Sequence, residues 1–392
     1  MITSILDTDL YKFTMQQAIL ELFPDATAEY VFINRGNHKF NQKFDRKLAV
    51  EIEKMSSLKL DMQEKIWFRD TCKYFKPNYF EYLHNYRFNP DEVKFQVNES
   101  DGNLILRTTG PWHRTVLWEV PLLALISEIY FSTIDTSWDK DYVAYNRRFG
   151  AKMELLQENS CHITEFGTRR RRNSEVQRLL VKYGKTFPCF GGTSNVYLSM
   201  INNLVPRGTM AHEWIMAMSV LEGLRNANYY ALQNWVRIYN ASLGIALTDT
   251  YGLEAFLNNF NLRLSKLYDG VRHDSGDPFI FVDKIVKHYI KLGIDPSSKV
   301  AFFSDNLNPE KVVKINEYCK GKIKASFGIG TNLTNDFAFC NSPALNMVIK
   351  MSKLNNVPVV KLSDERGKEC GDRDALRIAK WTFYNQPLDG LI

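Results

Sequence analysis

Apolar residues near the start of the chain recur at Met15, Ala18, Ile19 and Leu22, the i, i+3, i+4, i+7 spacing of one helix face. Asp25-Ala26-Thr27 breaks that pattern, and Ala28 to Ile33 (AEYVFI) predicts a strand. Between residues 50 and 90 the periodicity is helical and amphipathic. Val93–Val97 and Leu104–Thr108, separated by Asp101-Gly102, predict a β-hairpin. Near the other end, Ala344–Leu354 and Val357–Leu362 flank Asn355-Asn356 and predict a second hairpin, expected to rejoin the N-terminal strands.

The middle of the chain follows a different rule. Short apolar runs end in clusters of Asp, Ser, Thr, Asn and Gly, each followed by a helical stretch. Gly244–Leu247 leads into Thr248-Asp249-Thr250, and Gly270-Val271-Arg272 into His273-Asp274-Ser275-Gly276-Asp277. Val300–Phe303 leads into Ser304-Asp305-Asn306, and Ala325–Phe327 into Gly328-Ile329-Gly330-Thr331-Asn332. Asp249, Asp274 and Asp305 lie 25 and 31 residues apart, and Gly328 follows 23 later, which are βα-unit spacings. Asn308 with Pro309 reads as a helix start. Polar residues at the carboxyl ends of successive parallel strands predict an α/β barrel. An open doubly wound sheet would place ligands similarly, but no G-x-G-x-x-G is present to favour it.

Composition narrows the classes. Fifty Lys and Arg against forty-four Asp and Glu leave +6 on 392 residues, too small a surplus for binding led by phosphate neutralisation. The longest uninterrupted apolar run, Val120–Ile126, falls far short of the roughly 20 residues a bilayer requires. The start, MITSILDTDLYK, lacks the basic and apolar regions of a secretory signal. Six dispersed cysteines without a C-x-x-C predict reduced thiols and a cytoplasmic protein. Seven scattered histidines give no structural zinc pattern.

Several segments carry candidate chemistry, each with a plain alternative. The loop 328–332 offers backbone N–H groups to a phosphate, or merely turns the chain. Arg169 to Arg172 form the most basic segment: a solvated helix start, an RNA patch, or a grip on a small polyphosphate. His212 is a candidate acid, base or nucleophile, although lone histidines are commonly structural; Glu213 beside it diverges by geometry. Asp249, Asp274, Asp277 and Asp305 suit a ribose or a Mg²⁺-polyphosphate, or else cap helices. Asp7-Thr8-Asp9 reads on physical grounds as a helix cap, with Thr8 or Asp9 as the capping residue.

Taken together, nine segments in order resemble the nicotinate phosphoribosyltransferases: DTDLYKFTM (7–15), INRG (33–36), EFGTRRRR (165–172), GGTSN (191–195), GTMAHEW (208–214), ALTDTYG (246–252), GVRHDSGDP (270–278), SDNLN (304–308) and FGIGTNLTND (327–336). The resemblance implies an irregular α/β barrel of the type II phosphoribosyltransferase kind over 126–339, beside a mixed α/β domain from 1–125 and 340–392. It implies that nicotinate attacks phosphoribosyl pyrophosphate, giving nicotinate mononucleotide and pyrophosphate. ATP hydrolysis would be coupled through a phosphohistidine at His212, with Mg²⁺ on the polyphosphate. Phe166 and Tyr11 of a partner subunit in a homodimer would sandwich the ring, and Arg272 would meet its carboxylate. Gly328, Gly330 and Thr331 would hold the phosphate. Asp249, Asp274 and Asp305 would face ribose and Mg²⁺-pyrophosphate, with Arg35 and Arg169 supplying charge. Nicotinamide phosphoribosyltransferases share the strand-end pattern but place an acid where this chain has Ser194, so the acid substrate is expected. Neither a nucleic-acid nor a membrane partner is expected.

Overall fold

The computed structural model describes residues 1–138, 142–365 and 367–384. Its strands form two sheets. The first is antiparallel and contains β1 (Thr27–Asn34), β2 (Val93–Val97), β3 (Leu104–Pro111), β10 (Met347–Leu354) and β11 (Val357–Pro358), in the order β11-β10-β1-β3-β2. Both hairpins predicted from alternation are present, with Val97 opposite Leu104 and Leu354 opposite Val357. Asn355 and Asn356 both take positive φ (48° and 63°), as a two-residue turn matched to strand twist requires. The C-terminal hairpin does rejoin the N-terminal strands, since β1 pairs with β10 from Ala28–Leu354 to Asn34–Met347.

The second sheet is parallel throughout: β4 (Ile163–Glu165), β5 (Phe190–Thr193), β6 (Ile245–Leu247), β7 (Gly270–His273), β8 (Val300–Phe303) and β9 (Lys324–Ile329), in the order β5-β4-β9-β8-β7-β6. An irregular segment spans the space between the two edge strands. Arg207 N–H donates to Thr193 O at 3.0 Å, and Thr209 Oγ1 to Ile245 O at 3.2 Å. The ring is therefore an irregular α/β barrel. Its strands are only three to six residues long because each is buried among helices, so their apolar runs are continuous rather than alternating.

Between the sheets runs the helix Glu119–Thr133, apolar on nearly every side. The wider stretch Trp112–Thr133 has the length and composition of a membrane span, but 89% of its most apolar window is buried within the protein. Here it is a core helix, and it crosses residues 125 and 126, so neither sheet owns it. Residues 385–392, at the end of the expected C-terminal segment, lie outside the described residues.

The chain start is locked to the barrel by a buried ion cluster. Arg171 donates to both oxygens of Asp7 (2.7 and 2.9 Å), to Glu128 (2.9 Å) and to Gln177 (3.1 Å). Burial alone would raise the Asp7 pKa, but the Arg171 guanidinium outweighs it and holds the carboxyl below its ordinary value. Arg171→Met would leave Asp7 buried without its paired cation and Glu128 with only the Met1 ammonium at 3.3 Å, so unfolding stability should fall by about 3–5 kcal/mol, read from the urea midpoint. Asp7's share of that stability is present above its ordinary pKa of 3.8 and is lost as pH falls through the lowered native value. The deficit of the variant should accordingly shrink in acid.

Candidate active site

Every barrel strand delivers polar residues to its carboxyl end, where a cavity of about 1020 Å³ opens between the two sheets. Tyr11, Arg35, Phe166, Arg169, Ser194, His212, Arg272, Asp274, Asp305, Gly328, Gly330 and Thr331 all contribute to its wall. Of the strand-end aspartates, Asp249 and Asp277 are absent from the wall, Asp249 being 1% exposed behind His212.

The aromatic part of the wall begins at Phe166, just after β4. Its ring stacks on Phe302 with centroids 5.4 Å apart and planes 28° from parallel. A side chain at Gly328 would overlap that ring, so this glycine makes room for Phe166 whatever else it does. Phe302 is also the register partner of Arg272 on the adjacent strand. Side chains in register on parallel strands share a face, which sets the guanidinium beside the aromatic pair. Arg272 donates from Nη1 to Met210 O at 3.1 Å, while its buried Nε has no partner. Tyr11, expected from a partner subunit, lines this cavity from within the same chain, with its buried hydroxyl unpartnered.

The arginine run divides by burial. Arg169 and Arg170 line the cavity. Arg171 holds Asp7, and Arg172 donates to Ser342 and lies over the rings of Phe131 and Phe337. Two of the four are thus built into the core, which removes both the solvated-helix and RNA-patch readings for them. Arg170 is crowded: burial and then the neighbouring Arg169 and Arg35 lower its pKa to about 10.

His212 opens the helix His212–Met218. Its Nδ1 is 3.0 Å from Thr250 Oγ1, and its Nε2 is 3.0 Å from both Asp274 Oδ2 and Lys361 Nζ. Burial, then the Lys361 charge, lowers its pKa to about 4 against the pull of Asp249 and Asp274, so the ring is neutral near pH 7. Lys361 has only donors and Asp274 only acceptors, so a neutral Nε2 satisfies one of them at a time. Burial would raise Asp274, yet its hydrogen bond to His212 and the charges of Arg272 and Lys361 hold it well below the usual carboxylate range. Glu213 does diverge from its neighbour, accepting from Lys12 and from Tyr30 OH.

The four strand-end aspartates part company. Asp277 is a helix cap, accepting from the N–H groups of Phe279 and Ile280. Asp305 faces the cavity but pairs with Lys368 at 2.7 Å. Asp249 accepts from Lys361 (2.8 Å) and Ser275 (2.5 Å), while its buried Oδ1 has no hydrogen bond. Asp9 corrects the capping expectation. It occupies the N-cap position of the helix Leu10–Leu22 but makes no side-chain cap; its carboxylate instead takes the Ser194 hydroxyl at 2.7 Å. Lys350 and Lys361 went unnoticed in the sequence. Both line the cavity, and each stands alone inside an apolar run (VIKM, VVKL), a signal that could have marked them.

Ligating atoms of His212, Asp249 and Asp274 lie within 4.8 Å of one another. Two carboxylates, one with an unsatisfied buried oxygen, fit a hard cation that keeps some of its waters.

Comparison with known proteins agrees with this geometry. Residues 161–387 match the nicotinate phosphoribosyltransferase (NAPRTase) family, and residues 6–127 match its N-terminal domain. A nicotinate phosphoribosyltransferase of Methanosarcina acetivorans is 50% identical over 99% of this chain and 100% of its own. One from Chromohalobacter salexigens is 43% identical, covering 97% of this chain and 98% of its own. The crystal structure of nicotinate phosphoribosyltransferase from Porphyromonas gingivalis superposes with a TM-score of 0.94 at 39% identity, over 98% of this chain and 100% of that one. That of Vibrio cholerae gives 0.93 at 33%, over 99% and 95%. With its barrel, its appended sheet and its strand-end cavity all accounted for, the chain belongs to the nicotinate phosphoribosyltransferase family.

Proposed function

We propose that this chain joins nicotinate to phosphoribosyl pyrophosphate, coupled to ATP hydrolysis through a phosphohistidine at His212. The observation that carries the substrate is the unpartnered Nε of Arg272 beside the Phe166–Phe302 stack. A planar aromatic acid meets both needs, stacking on the ring and pairing its carboxylate with the guanidinium. Ser194 supports the acid over the amide, since it stands where the nicotinamide enzymes carry an acid to meet the neutral amide.

The pyridine nitrogen attacks the anomeric carbon, the C–O bond to pyrophosphate breaks, and pyrophosphate leaves with the electron pair. Negative charge grows on the leaving group, and Arg35, Arg169 and Arg170 are the cations poised for it. Gly328, Gly330 and Thr331 would take the phosphate on the ribose, and Asp305 the sugar end. Asp249 and Asp274 would hold Mg²⁺, whose chemistry is to neutralise the polyphosphate. His212, neutral and buried, is suited to accept the terminal phosphoryl group of ATP, releasing ADP; water later cleaves the N–P bond to give phosphate. All six cysteines are unpaired, which supports a cytoplasmic setting. A homodimer is the proposed assembly, on the family resemblance.

Parallel assays with nicotinate and nicotinamide, with and without ATP, test the reading; nicotinamide turnover matching nicotinate would overturn it. Arg272→Ala should weaken nicotinate at least tenfold, since a charge-assisted contact contributes about 1.5–3 kcal/mol. A matching loss for phosphoribosyl pyrophosphate would assign Arg272 to the phosphate or the fold instead. His212→Ala should abolish ATP hydrolysis and ATP stimulation while keeping slow ATP-independent synthesis. Labelled ATP should leave acid-labile, base-stable phosphate on the wild type and none on the variant; undiminished hydrolysis by folded His212→Ala would sink the phosphohistidine.

A further inference from the structure

The turn that follows β6, residues 249–253, supplies two of the groups around His212. Thr250 Oγ1 meets Nδ1 at 3.0 Å, and Asp249 anchors Lys361, which meets Nε2. What holds this turn is the C-terminal part of the chain, at five successive points. Lys361 Nζ donates to Asp249 Oδ2 at 2.8 Å. Leu362 N–H donates to Thr250 O at 2.8 Å. The Phe383 ring stacks on Tyr251, with centroids 4.7 Å apart and planes 21° from parallel. Tyr384 OH donates to Tyr251 O at 2.8 Å. Leu253 N–H donates to both oxygens of Asp364, at 3.0 and 3.1 Å.

Gly252 shows how closely the last of these elements approaches. It takes φ +87°, where side chains are strained, and any side chain there would overlap the Tyr384 hydroxyl. Tyr384 belongs to the amphipathic helix Arg373–Tyr384, none of whose residues lines the cavity. A hydroxyl outside the site therefore fixes the Tyr251–Gly252 peptide, one residue beyond Thr250, and Thr250 meets the imidazole. The linkage is short: one hydrogen bond to the Tyr251 carbonyl, the backbone of Tyr251, and one hydrogen bond from Thr250 to the imidazole.

We propose that Tyr384 is a positioning residue for His212, and that the C-terminal helix completes the histidine site by clamping the 249–253 turn. The inference rests on the reading of His212 as the group that accepts phosphate from ATP. A neutral imidazole attacks a phosphoryl group only when its lone pair is aligned, so a small rotation of the ring costs rate rather than affinity. Asp249, the one proposed Mg²⁺ carboxylate in this turn, is held separately by Lys361 and Ser275, so ATP binding should be left alone. Ribosyl transfer to nicotinate, which needs no histidine nucleophile, is left alone as well.

The test is Tyr384→Phe, which deletes one hydroxyl and retains the ring, with Tyr384→Ala as a stronger perturbation and His212→Ala alongside. ATP hydrolysis by Tyr384→Phe should lose about three- to tenfold in kcat, the range of effects transmitted through a connected network, with KM for ATP within twofold of wild type. The fraction of phosphorylated enzyme at steady state should fall in parallel, and ATP-independent synthesis should stay at the wild-type rate. Undiminished hydrolysis in both Tyr384 variants, together with its loss in His212→Ala, would overturn the positioning role while leaving the histidine reading intact. Hydrolysis surviving in folded His212→Ala would overturn both. An equal drop in ATP-independent synthesis in Tyr384→Phe would also overturn the proposal, since it would mark a general structural role.

Discussion

One buried ammonium joins the two sheets at the edge of the cavity. Lys12, from the helix Leu10–Leu22, reaches Glu119 at 2.5 Å on the core helix and Glu213 on the helix that begins with His212. Glu213 also takes the hydroxyl of Tyr30 on β1, which in turn receives Trp112 Nε1. Glu119 lies 3.4 Å from Arg169. Burial opposes every charge in this chain of contacts, yet Lys12 and Arg169 together hold Glu119 below its ordinary range. Such a cluster is stable only when all its members are present and aligned. The antiparallel sheet, the barrel, the histidine helix and a cavity arginine thus share one geometric condition.

That condition explains why the cavity can hold so many cations. Arg35, Arg169, Arg170, Lys350 and Lys361 all reach its wall, and uncompensated they would repel one another. Carboxylates placed just behind or beside them, Glu119 near Arg169 and Asp249 under Lys361, balance part of the field. Arg170 and Lys350 are left with lowered pKa values, burial being the main cause for both. A polyanion entering such a site relieves strain already stored in it. The same logic separates Arg169 and Arg170, which line the cavity, from Arg171 and Arg172, which are buried in the core.

The hairpins and strands β6 to β9 were legible in the sequence, because βα spacing and alternation are local properties, whereas the short strands β4 and β5 were not. The individual strands of both hairpins, the strands β6 to β9 and the Asn308-Pro309 helix start are each written in stretches of under ten residues, where backbone preference decides. The strand-end clusters were legible for the same reason: a barrel puts the carboxyl end of every strand on one face. Asp274 could therefore be picked out as a site candidate from its strand-end cluster, whereas Phe166 and Arg272 came only with the family resemblance.

Partners were another matter. Asp9 and Asp277 are both acidic residues at a helix start, yet Asp277 caps its helix and Asp9 turns away to Ser194, 185 residues later. Four consecutive arginines divided between the cavity wall and the core. Lys361 came to His212 from 149 residues away, and Tyr384 to Tyr251 from 133. Sequence determined which elements form, since that depends on neighbours along the chain. Only the tertiary structure decided which charges are paired, which are buried and which face the cavity, because desolvation and Coulomb energy depend on distance in space.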